Sequence, residues 1–299
     1  MRTLVLCGTP AIGMPPERTR VIDPETPIAT ATDLGLTRGD GVFETVGVHH
    51  GRMLDLEPHL ERLAQSARLM DLPSPDLAAF RMAITLAVGD LLDNLERTPV
   101  TALCKIVYTR GEEDALAAPP GRPLGFALAY DFPDPTEARR EGTSAVTLTR
   151  GYPLGIGETA PWLTIGAKTL SYSVNMAALR HARTLGAEEV LFITTDGYVL
   201  EAPRSTLLIR QGEVISTPAV TGGLLHGTAQ RAAFEAFESL GLTCEYRDIH
   251  HDELATADAL WLADSGFLLR PLHTLDGRRY KVDERLTTAA IRLILAGTL

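Results

Sequence analysis

The stretch Gly166-Ala167-Lys168-Thr169-Leu170-Ser171-Tyr172 contains Lys168, the residue that is most informative about the fold of this chain. An apolar run with glycine precedes it, and an amphipathic pattern over residues 175–185 follows it and predicts a helix. A hairpin is expected next, because Asp196-Gly197 joins two strand-like segments. The second of these strands ends at Glu201. The order along the chain is therefore a lysine, a helix and a carboxylate at a strand end.

Lys168 and Glu201 are the two side chains that pyridoxal phosphate chemistry requires. The aldehyde of this cofactor forms an imine with an amine, and its ring nitrogen needs a group that favours the protonated, electron-withdrawing state. Most lysines are solvated surface charges. The pair is informative because candidate phosphate-site and turn motifs lie around it in the order expected for a pyridoxal phosphate site.

The composition of the 299-residue chain is that of a soluble globular protein with room for two domains. The net charge is −10, and no basic patch is interleaved with aromatic residues, so we expect no nucleic-acid partner. Cys7, Cys104 and Cys244 lack CxxC spacing, which favours reduced buried thiols over disulfides or a metal site. The apolar start is too short for a signal peptide, and no stretch is long enough to span a bilayer. We expect a cytoplasmic protein.

A segment rich in proline and charge, Asp131 to Arg140, separates two groups of predicted elements. We predict an N-terminal α+β domain at 1–131, a linker at 132–140, and a C-terminal α+β domain at 141–299 that carries Lys168. Runs of strands broken by hairpins, with helices between them, favour this α+β class over a doubly wound parallel sheet.

Hydrophobic periodicity predicts most of the individual elements. Helices are expected at 56–70, 76–95, 175–185 and 228–240, and at the end up to Ala296. Strands are expected at 42–48, 53–54, 100–108, 124–130, 144–149, 189–195, 198–201, 206–210, 213–217, 244–249 and 259–263. A last hairpin is expected around Asp276-Gly277, and residues 8–30 are expected to be irregular.

Two motifs are candidate phosphate sites, and each has an ordinary alternative. The glycine-rich run from Thr221 to Gly227 leads into a helix at Thr228, and the backbone N–H groups of a helix start bind phosphate well. The same pattern fits a plain turn with Thr228 as the N-cap. Arg62 offers a bidentate fork to a phosphate, or it covers apolar surface with its stem.

A glycine-rich turn into a strand provides candidate pocket residues. Phe43 and Thr45 share one face of this strand and Glu44 lies on the other, so the first face lines a pocket or belongs to an ordinary buried strand. The pairs His49-His50 and His250-His251 lack the i, i+4 spacing of a helical metal site. We interpret them as turn and loop residues and predict no metal, and we expect His59 to pack or to cap.

Five short motifs in order resemble those of the class IV aminotransferases, the fold-type IV pyridoxal phosphate enzymes. This family includes branched-chain aminotransferases, D-amino-acid aminotransferases and 4-amino-4-deoxychorismate lyases. The motifs are Arg38-Gly39-Asp40-Gly41-Val42-Phe43-Glu44-Thr45, His59-Leu60-Glu61-Arg62-Leu63, Lys168-Thr169-Leu170-Ser171-Tyr172, Glu201, and Leu225-His226-Gly227-Thr228. The runs Gln65-Ser66-Ala67-Arg68-Leu69-Met70-Asp71-Leu72-Pro73 and Ala167 to Tyr172 resemble actinobacterial lyase-like proteins in particular.

The resemblance implies a D-amino-acid aminotransferase-like fold of two α+β domains with the cofactor in the cleft between them. It also implies a homodimer in which a loop of the partner closes the site. Lys168 would hold the cofactor as an imine and move protons, and Glu201 would keep the pyridine nitrogen protonated. Arg62 and the amides of Gly227 and Thr228 would bind the phosphate.

The remaining site residues are also implied by the resemblance. Tyr172 would lie near the phenolic oxygen of the cofactor. Phe43 and Thr45 would face the substrate, with Thr45 assisting proton transfer. Arg110, in the motif Thr109-Arg110-Gly111, is a further candidate for substrate binding.

Several stretches depart from the family pattern. Glu201 is followed by Ala-Pro-Arg-Ser-Thr instead of the common Gly-Ser-x-Ser-Asn, and this departure argues against the side-chain phosphate contacts expected there. Gly227-Thr228-Ala229-Gln230 stands where Gly-Ile-Thr-Arg is common, and Asp264-Ser265-Gly266 replaces a Ser-Thr pair. No Arg-x-His carboxylate trap follows Arg110, which disfavours action on D-amino acids.

The resemblance implies three possible functions. The first is a 4-amino-4-deoxychorismate lyase that releases p-aminobenzoate and pyruvate for folate synthesis. The second is an aminotransferase that acts on D-amino acids or branched-chain amino acids with a 2-oxo acid acceptor. The third is a catalytically silent pyridoxal phosphate-binding homologue, which the retained Lys168 and Glu201 disfavour.

Overall fold

The computed structural model describes residues 1–8, 19–113, 123–219 and 227–297. The chain divides into two compact units. The first comprises Met1–Asp134 together with Ala167–Tyr172, and the second comprises Pro135–Gly166 and Ser173–Leu299. Each unit combines a sheet with helices, so the predicted α+β class is confirmed.

The first unit contains an antiparallel sheet of six strands. In chain order they are β1 Arg2–Leu6, β2 Arg20–Ile22, β3 Gly41–His49, β4 Arg52–Met53, β5 Thr101–Thr109 and β6 Gly125–Asp131. Their order across the sheet is β2-β1-β6-β5-β3-β4. β2 lies in the stretch that was expected to be irregular, so that expectation is wrong for Arg20–Ile22.

Three helices accompany this sheet: α1 Leu34–Arg38, α2 Leu56–Leu69 and α3 Leu77–Asp93. The side chain of Asp76 caps α3 by accepting hydrogen bonds from the Ala78 and Ala79 amides, both at 3.0 Å. The apolar faces of α2 and α3 pack on one face of the sheet, as the helical spacing predicted. The largest side chains of this core are fully buried: Leu60, Leu63, Phe80, Ile84, Leu91 and Ile106.

The segment that carries Lys168 belongs to the first unit, which corrects the predicted assignment to the C-terminal domain. The physical reason is backbone pairing next to the start of β3. The amide of Phe43 donates to the Lys168 carbonyl at 2.9 Å, and the amide of Leu170 donates to the Gly41 carbonyl at 2.8 Å. Such pairing between distant parts of the chain leaves no trace in local periodicity.

The second unit contains a mixed sheet of eight strands. They are β7 Thr143–Thr149, β8 Glu189–Ile193, β9 Thr206–Gln211, β10 Val214–Pro218, β11 Thr243–Arg247, β12 Ala259–Asp264, β13 Leu268–Leu275 and β14 Arg278–Arg279. The order is β11-β10-β9-β12-β13-β7-β8, with β14 paired to β13. The pairs β10–β11, β13–β7 and β7–β8 are parallel, and the others are antiparallel.

The helices of the second unit are α4 Thr136–Glu141, α5 Ile156–Thr159, α6 Ser173–Thr184, α7 Thr228–Ser239 and α8 Glu284–Ala296. Two 3₁₀ segments, Pro161–Leu163 and His251–Thr256, complete the list for the described residues. Trp261 on β12 is fully buried against Phe237 of α7, and its indole N–H donates to the Thr287 hydroxyl of α8 at 2.8 Å. These contacts attach the last two helices to the sheet.

Most predicted elements are confirmed with boundaries that shift by one to three residues. Two predictions are wrong. α4 forms inside the predicted linker, and the boundary between the units falls after Asp134. Residues 198–201 form only isolated bridges, Ile193 with Val199 and Tyr198 with His250, instead of a continuous strand. In the described part of the chain, no helix is both long and apolar enough to cross a bilayer.

Candidate active site

The β3–β5 pair presents two chemically different faces, as its alternation predicted. On the core face, Glu44 and its cross-strand partner Ile106 are fully buried. On the other face, Phe43, Thr45 and Lys105 are only partly buried, and Thr45 lies directly opposite Lys105 in the register. We call this second face the open face of the sheet.

Lys168 is attached to this open face through Phe43. Besides the backbone bond to Phe43, the Lys168 amide donates to the Ser66 hydroxyl at 3.1 Å. The Lys168 ammonium lies 4.7 Å from the centroid of the Phe43 ring. The Tyr172 ring meets the same phenyl ring edge-on at 5.3 Å. The first unit thus brings together Phe43, Lys168 and Tyr172, which the sequence proposed separately.

The glycine-rich turn before β3 is needed for this approach. Gly39 has a φ of 71°, a left-handed conformation that favours glycine. A β-carbon at this position would lie 2.9 Å from the Ser171 hydroxyl oxygen and 3.1 Å from the Ser171 α-carbon. The Ser171 hydroxyl donates to the Gly39 carbonyl at 3.1 Å. Gly39 therefore allows the lysine segment to lie against the turn.

Arg62 is held by a buried carboxylate on the core face. Its Nε and Nη2 donate to the two oxygens of Glu44 at 2.6 and 2.8 Å, and His59 Nδ1 donates to Glu44 Oε2 at 2.8 Å. Burial alone would raise the pKa of the Glu44 carboxyl. The charge of Arg62 and the hydrogen bonds from Arg62 and His59 outweigh it and hold that pKa well below its usual range. His59 packs as expected, and Glu44 is the partner that sequence reasoning missed.

Arg110, which the sequence offers as a candidate for substrate binding, makes four hydrogen bonds within the first unit. Its Nε and Nη2 donate to the Asp40 carboxylate at 2.6 and 3.1 Å. Nη1 donates to the Asp71 carbonyl at 2.9 Å, and Nη2 also donates to the Met70 carbonyl at 2.7 Å. The guanidinium therefore joins the C-terminal end of α2 to the turn before β3.

In the second unit, α7 begins as the phosphate motif predicted, although its N-cap is Gly227 and not Thr228. A glycine N-cap has no side-chain oxygen with which to cap the helix. A β-carbon at Gly227 would lie 2.7 Å from the Thr206 hydroxyl oxygen. Thr206, which the sequence gave no role, therefore lies at this helix start. The part of the phosphate motif at 221–226 lies outside the described residues.

Glu201 lies at the end of the segment that follows β8. The Phe192 amide donates to the Glu201 carbonyl at 3.1 Å, and the Ala202 amide donates to the Ser205 carbonyl at 2.9 Å. Burial raises the pKa of Tyr152, the charge and hydrogen bond of Arg150 lower it, and the negative charge of Glu201 raises it further. Glu201 is partly exposed. The charge of Glu201 therefore acts on the Tyr152 hydroxyl, and its backbone carbonyl accepts a hydrogen bond from β8.

A buried charged cluster lies next to this segment. Arg270 and Arg204 donate to Glu189 Oε1 at 2.5 and 3.0 Å. Within the described ranges, three buried polar atoms have no hydrogen-bond partner: Glu189 Oε2, Ser205 Oγ and Arg270 Nε. Orphaned buried atoms of this kind indicate an absent water or ligand. Ser205 adjoins Thr206, so spare hydrogen-bonding capacity lies close to the start of α7.

Asp264 is the first residue of the run that departs from the Ser-Thr pair that the resemblance implies. Its Oδ1 accepts hydrogen bonds from the Gly266 and Phe267 amides, both at 2.8 Å, and so closes the turn between β12 and β13. Burial raises the pKa of the Asp264 carboxyl, and the two amide bonds and Arg270 oppose that shift. Asp264 therefore has a structural role in the turn.

One group of described residues offers several metal-ligating atoms. His250, His251 and Asp252 place one ligand atom each within 4.8 Å of the others. His250 and His251 approach opposite oxygens of Asp252 at 3.3 and 3.2 Å. They lie at the start of a 3₁₀ segment, where Glu253 and His250 form a capping box. His250 and His251 are thus at a turn, as expected, whereas His49 is the buried last residue of β3, so the prediction of a turn or loop is wrong for it.

The model of the amino-transferase class IV family matches residues 41–275. The chain belongs to the class IV aminotransferases. The match begins at the first residue of β3 and ends at the last residue of β13.

Individual relatives of this class IV aminotransferase agree with the assignment. A Mycobacterium tuberculosis protein named bifunctional aminodeoxychorismate lyase / D-amino acid transaminase is 43% identical over 267 residues, which cover 87% of this chain and 90% of the relative. The fold IV-transaminase CpuTA1 from Curtobacterium pusillum has a TM-score of 0.91 and 41% identity, and the alignment covers 99% and 98% of the two chains. A PLP-bound hypothetical aminotransferase from M. tuberculosis has a TM-score of 0.87 and 39% identity, with the same coverage.

This class IV aminotransferase therefore has the predicted fold-type IV architecture and is a pyridoxal phosphate-dependent enzyme that acts on small molecules. The residues present are compatible with the cofactor. The glycine N-cap of α7 leaves space that a β-carbon would fill. The buried Ser205 hydroxyl has no hydrogen-bond partner among the described residues, so it can bond to a ligand. The open face carries Lys168, whose amine is the group that an aldehyde requires.

Proposed function

We propose that this enzyme is a 4-amino-4-deoxychorismate lyase that releases p-aminobenzoate and pyruvate. The observation that carries the proposal is the position of Thr45 on the open face, the same face over which Lys168 lies. The lyase reaction needs a group that removes a proton and a group that returns one. Among the described residues, the Thr45 hydroxyl has no hydrogen-bond partner, so it is available to a substrate. The name of the M. tuberculosis relative supports the same assignment.

We assign the cofactor contacts as the resemblance implies. Lys168 would hold the cofactor, Tyr172 would lie near its phenolic oxygen, and Glu201 would keep its ring nitrogen protonated. Arg62, with the amides of Gly227 and Thr228, would bind its phosphate. The bidentate bond from Arg62 to Glu44 supports this role, because it fixes the direction of the guanidinium before the phosphate arrives.

Pyridoxal phosphate supplies, when bound, an electron sink for the carbon that bears the substrate amine. Lys168 then removes the proton from that carbon as a general base. The bond between the ring and the enolpyruvyl oxygen breaks, and the ring becomes aromatic. Thr45 passes a proton to the departing enolpyruvate, which leaves as pyruvate. The proton lost from the ring carbon balances the one gained by the product.

The test is to mix purified holoenzyme with aminodeoxychorismate and to measure p-aminobenzoate. We expect product well above the rate without enzyme. Thr45→Val should lower this rate roughly 100-fold or more, since a positioned proton donor contributes about 10²- to 10⁴-fold. Thr45→Ser, which keeps the hydroxyl, is the matched control and should retain most of the rate. Absence of p-aminobenzoate with wild-type holoenzyme would remove the lyase assignment.

A second function is an aminotransferase that acts on D-amino acids or branched-chain amino acids. The names of the M. tuberculosis relative and of the Curtobacterium neighbour favour it. It requires the same Lys168 and Glu201, so the cofactor contacts do not discriminate between the two. A change of cofactor absorbance to the pyridoxamine form with D-alanine, D-glutamate or L-leucine, together with no p-aminobenzoate, would favour this function.

We also propose a homodimer in the reducing cytoplasm. Four large apolar side chains between the 3₁₀ segment and the first turns of α6 are exposed in the single chain: Trp162, Leu163, Val174 and Met176. A contiguous exposed apolar patch is typical of a surface that a partner covers, and we infer that these side chains form one. The free thiols of Cys7 and Cys104 are buried, which is compatible with a reducing compartment.

Substitution of Trp162 tests the homodimer. Its side chain is 75% exposed, so Trp162→Glu should not disturb the fold of the chain. We expect light scattering to show a dimer for the wild type and a species near the 32.3 kDa of one chain for this variant. Leu36→Glu, at a similarly exposed apolar side chain in the first unit, is the matched control. A dimer that survives Trp162→Glu would exclude this surface.

A further inference from the structure

Two adjacent histidines, His250 and His251, meet the carboxylate of Asp252 where the chain enters the 3₁₀ segment. The centroids of the two imidazole rings are 4.6 Å apart. The sequence predicts no metal here, because neighbouring histidines lack the i, i+4 spacing of a helical site. In the structure a turn, and not a helix, brings the three side chains together. We call them the His-His-Asp cluster.

The tautomer of His251 is fixed by a backbone group outside the cluster. Its Nδ1 lies 3.1 Å from the Gly197 carbonyl oxygen, which can only accept, so Nδ1 is the donor. In the neutral ring the lone pair is then on Nε2, which lies 3.2 Å from Asp252 Oδ1. Metal-ligating histidines have this arrangement, because their second ring nitrogen usually donates to a carbonyl or a carboxylate.

His250 presents a lone pair to the same carboxylate. Its Nδ1 accepts a long hydrogen bond of 3.5 Å from the Asp252 amide, so this nitrogen carries no proton in the neutral ring. The same Nδ1 lies 3.3 Å from Asp252 Oδ2. With both rings neutral, two imidazole lone pairs therefore face two carboxylate oxygens, and all four groups are acceptors. A cation placed among them removes their mutual repulsion.

The distances in the cluster suit a small transition-metal ion. Bonds of about 2.0–2.1 Å in a tetrahedron place neighbouring ligand atoms about 3.3 Å apart, and the two N···O separations are 3.2 and 3.3 Å. Imidazole ligands suit zinc and neighbouring transition metals, whereas Mg²⁺ and Ca²⁺ prefer oxygen. Asp196 adds negative charge nearby. A hydrogen bond from Thr194 is the main cause that lowers the Asp196 pKa, and the charge of His250 lowers it further.

We propose that the His-His-Asp cluster binds one divalent transition-metal ion of the zinc class. His250 supplies Nδ1, His251 supplies Nε2 and Asp252 supplies carboxylate oxygen, so the site has three protein ligands and a position open to water. Each of the three residues is at least partly exposed, so the ion reaches them from solvent. None of the three has a role in the proposed lyase reaction. The metal site therefore stands or falls independently of that function.

The ion stabilises the junction between the 3₁₀ segment and residues 197–201. The His251 amide donates to the Gly197 carbonyl at 2.9 Å, and the Val199 amide donates to the Ile249 carbonyl at 2.8 Å. A metal bond at Nε2 holds the His251 ring in the orientation in which Nδ1 also bonds to Gly197. Because a ligand that binds only the closed arrangement disfavours local opening, the ion is expected to slow amide hydrogen exchange at residues 197–201.

The test is calorimetric titration of tag-free holoenzyme with Zn²⁺, with Mg²⁺ as the comparison cation. We expect one Zn²⁺ per chain at the cluster and no measurable binding of Mg²⁺. His251→Gln keeps an amide donor for the Gly197 carbonyl and loses the imidazole lone pair, so it should weaken Zn²⁺ binding about 10- to 100-fold or more. His181→Ala removes an exposed histidine of α6 and is the matched control, which should bind Zn²⁺ as wild type does.

Hydrogen exchange on the same proteins should show slower exchange at residues 197–201 when Zn²⁺ is added to wild type, and no change in His251→Gln. Any of three results would overturn the metal site: no saturable Zn²⁺ binding by wild type, equal Zn²⁺ binding by wild type and His251→Gln, or Mg²⁺ binding as tight as that of Zn²⁺. His250→Ala provides a second variant if His251→Gln does not fold, and it should show a comparable loss of Zn²⁺ affinity.

Discussion

Lys168→Ala is expected to abolish turnover, with a loss of at least about 10³-fold for the lyase and aminotransferase reactions alike. In the proposed mechanism Lys168 both holds the cofactor and moves the proton, and the second role alone is typically worth about 10²- to 10⁴-fold. The lysine contributes to the fold through its backbone, whose amide and carbonyl bond to Ser66 and Phe43. Alanine keeps both backbone bonds, so the variant should remain folded.

The measurement for Lys168→Ala combines a rate with a covalent readout. Borohydride reduction of wild-type holoenzyme should fix the cofactor to the peptide that contains Lys168, as seen by mass spectrometry, and the variant should show no adduct. Lys281→Ala is the matched control, because Lys281 is an exposed lysine of the second unit. It should keep wild-type turnover and the adduct. Full turnover by Lys168→Ala would contradict the assigned chemistry.

Glu44→Ala is expected to cause the largest loss of stability among the site variants, about 3–5 kcal/mol. Glu44 is fully buried, and its two oxygens accept the hydrogen bonds of Arg62 and His59. The substitution leaves a guanidinium that is 10% exposed without its carboxylate. Urea unfolding followed by circular dichroism measures the loss. We also expect weaker cofactor binding, because Arg62 loses the partner that orients it.

The control for Glu44→Ala is Glu57→Ala on the same helix as Arg62. Glu57 also forms a bidentate pair, with Arg81 at 2.7 Å for both bonds, but the two side chains are exposed. Exposed pairs contribute little, so the unfolding midpoint should barely change. Equal effects of the two substitutions would contradict the view that burial makes the Glu44 pair important.

The Glu44 pair also has an expected pH dependence. The folded-state pKa of Glu44 is lowered, so its contribution to stability is present above the ordinary carboxyl pKa and is lost as pH falls through the lowered value. The difference in unfolding free energy between wild type and Glu44→Ala should therefore be constant near neutral pH. It should shrink only in strongly acidic solution.

Local pattern was sufficient to locate most helices and strands. The spacing of Leu60 and Leu63 predicted the buried face of α2, and the alternation of Phe43, Glu44 and Thr45 predicted the two faces of β3. These features depend on residues within one or two turns of each other. Periodicity reports such neighbours directly.

Pattern failed where a proline was read as ending regular structure and where the outcome depends on distant residues. α4 formed in a stretch with two prolines because Pro135 stands just before its first turn, where a proline is tolerated. The strand predicted over 198–201 was replaced by two isolated bridges, one of which reaches His250. Thr206 lies next to the start of α7, although the first residue of α7 is 22 positions further along the chain. No local motif could reveal this contact.

The sequence by itself determined that this is an α+β enzyme of the pyridoxal phosphate-dependent class, and it supplied a candidate amine at Lys168 and a candidate carboxylate at Glu201. The tertiary structure decided which charged side chains pair with one another and which have no partner among the described residues. Arg110 pairs with Asp40 from 70 positions away, whereas Lys105 has no acceptor among the described residues. Both are cations in the sequence. Their roles differ because pairing and burial depend on which parts of the chain folding brings together, and only those contacts determine the free energy of a charge.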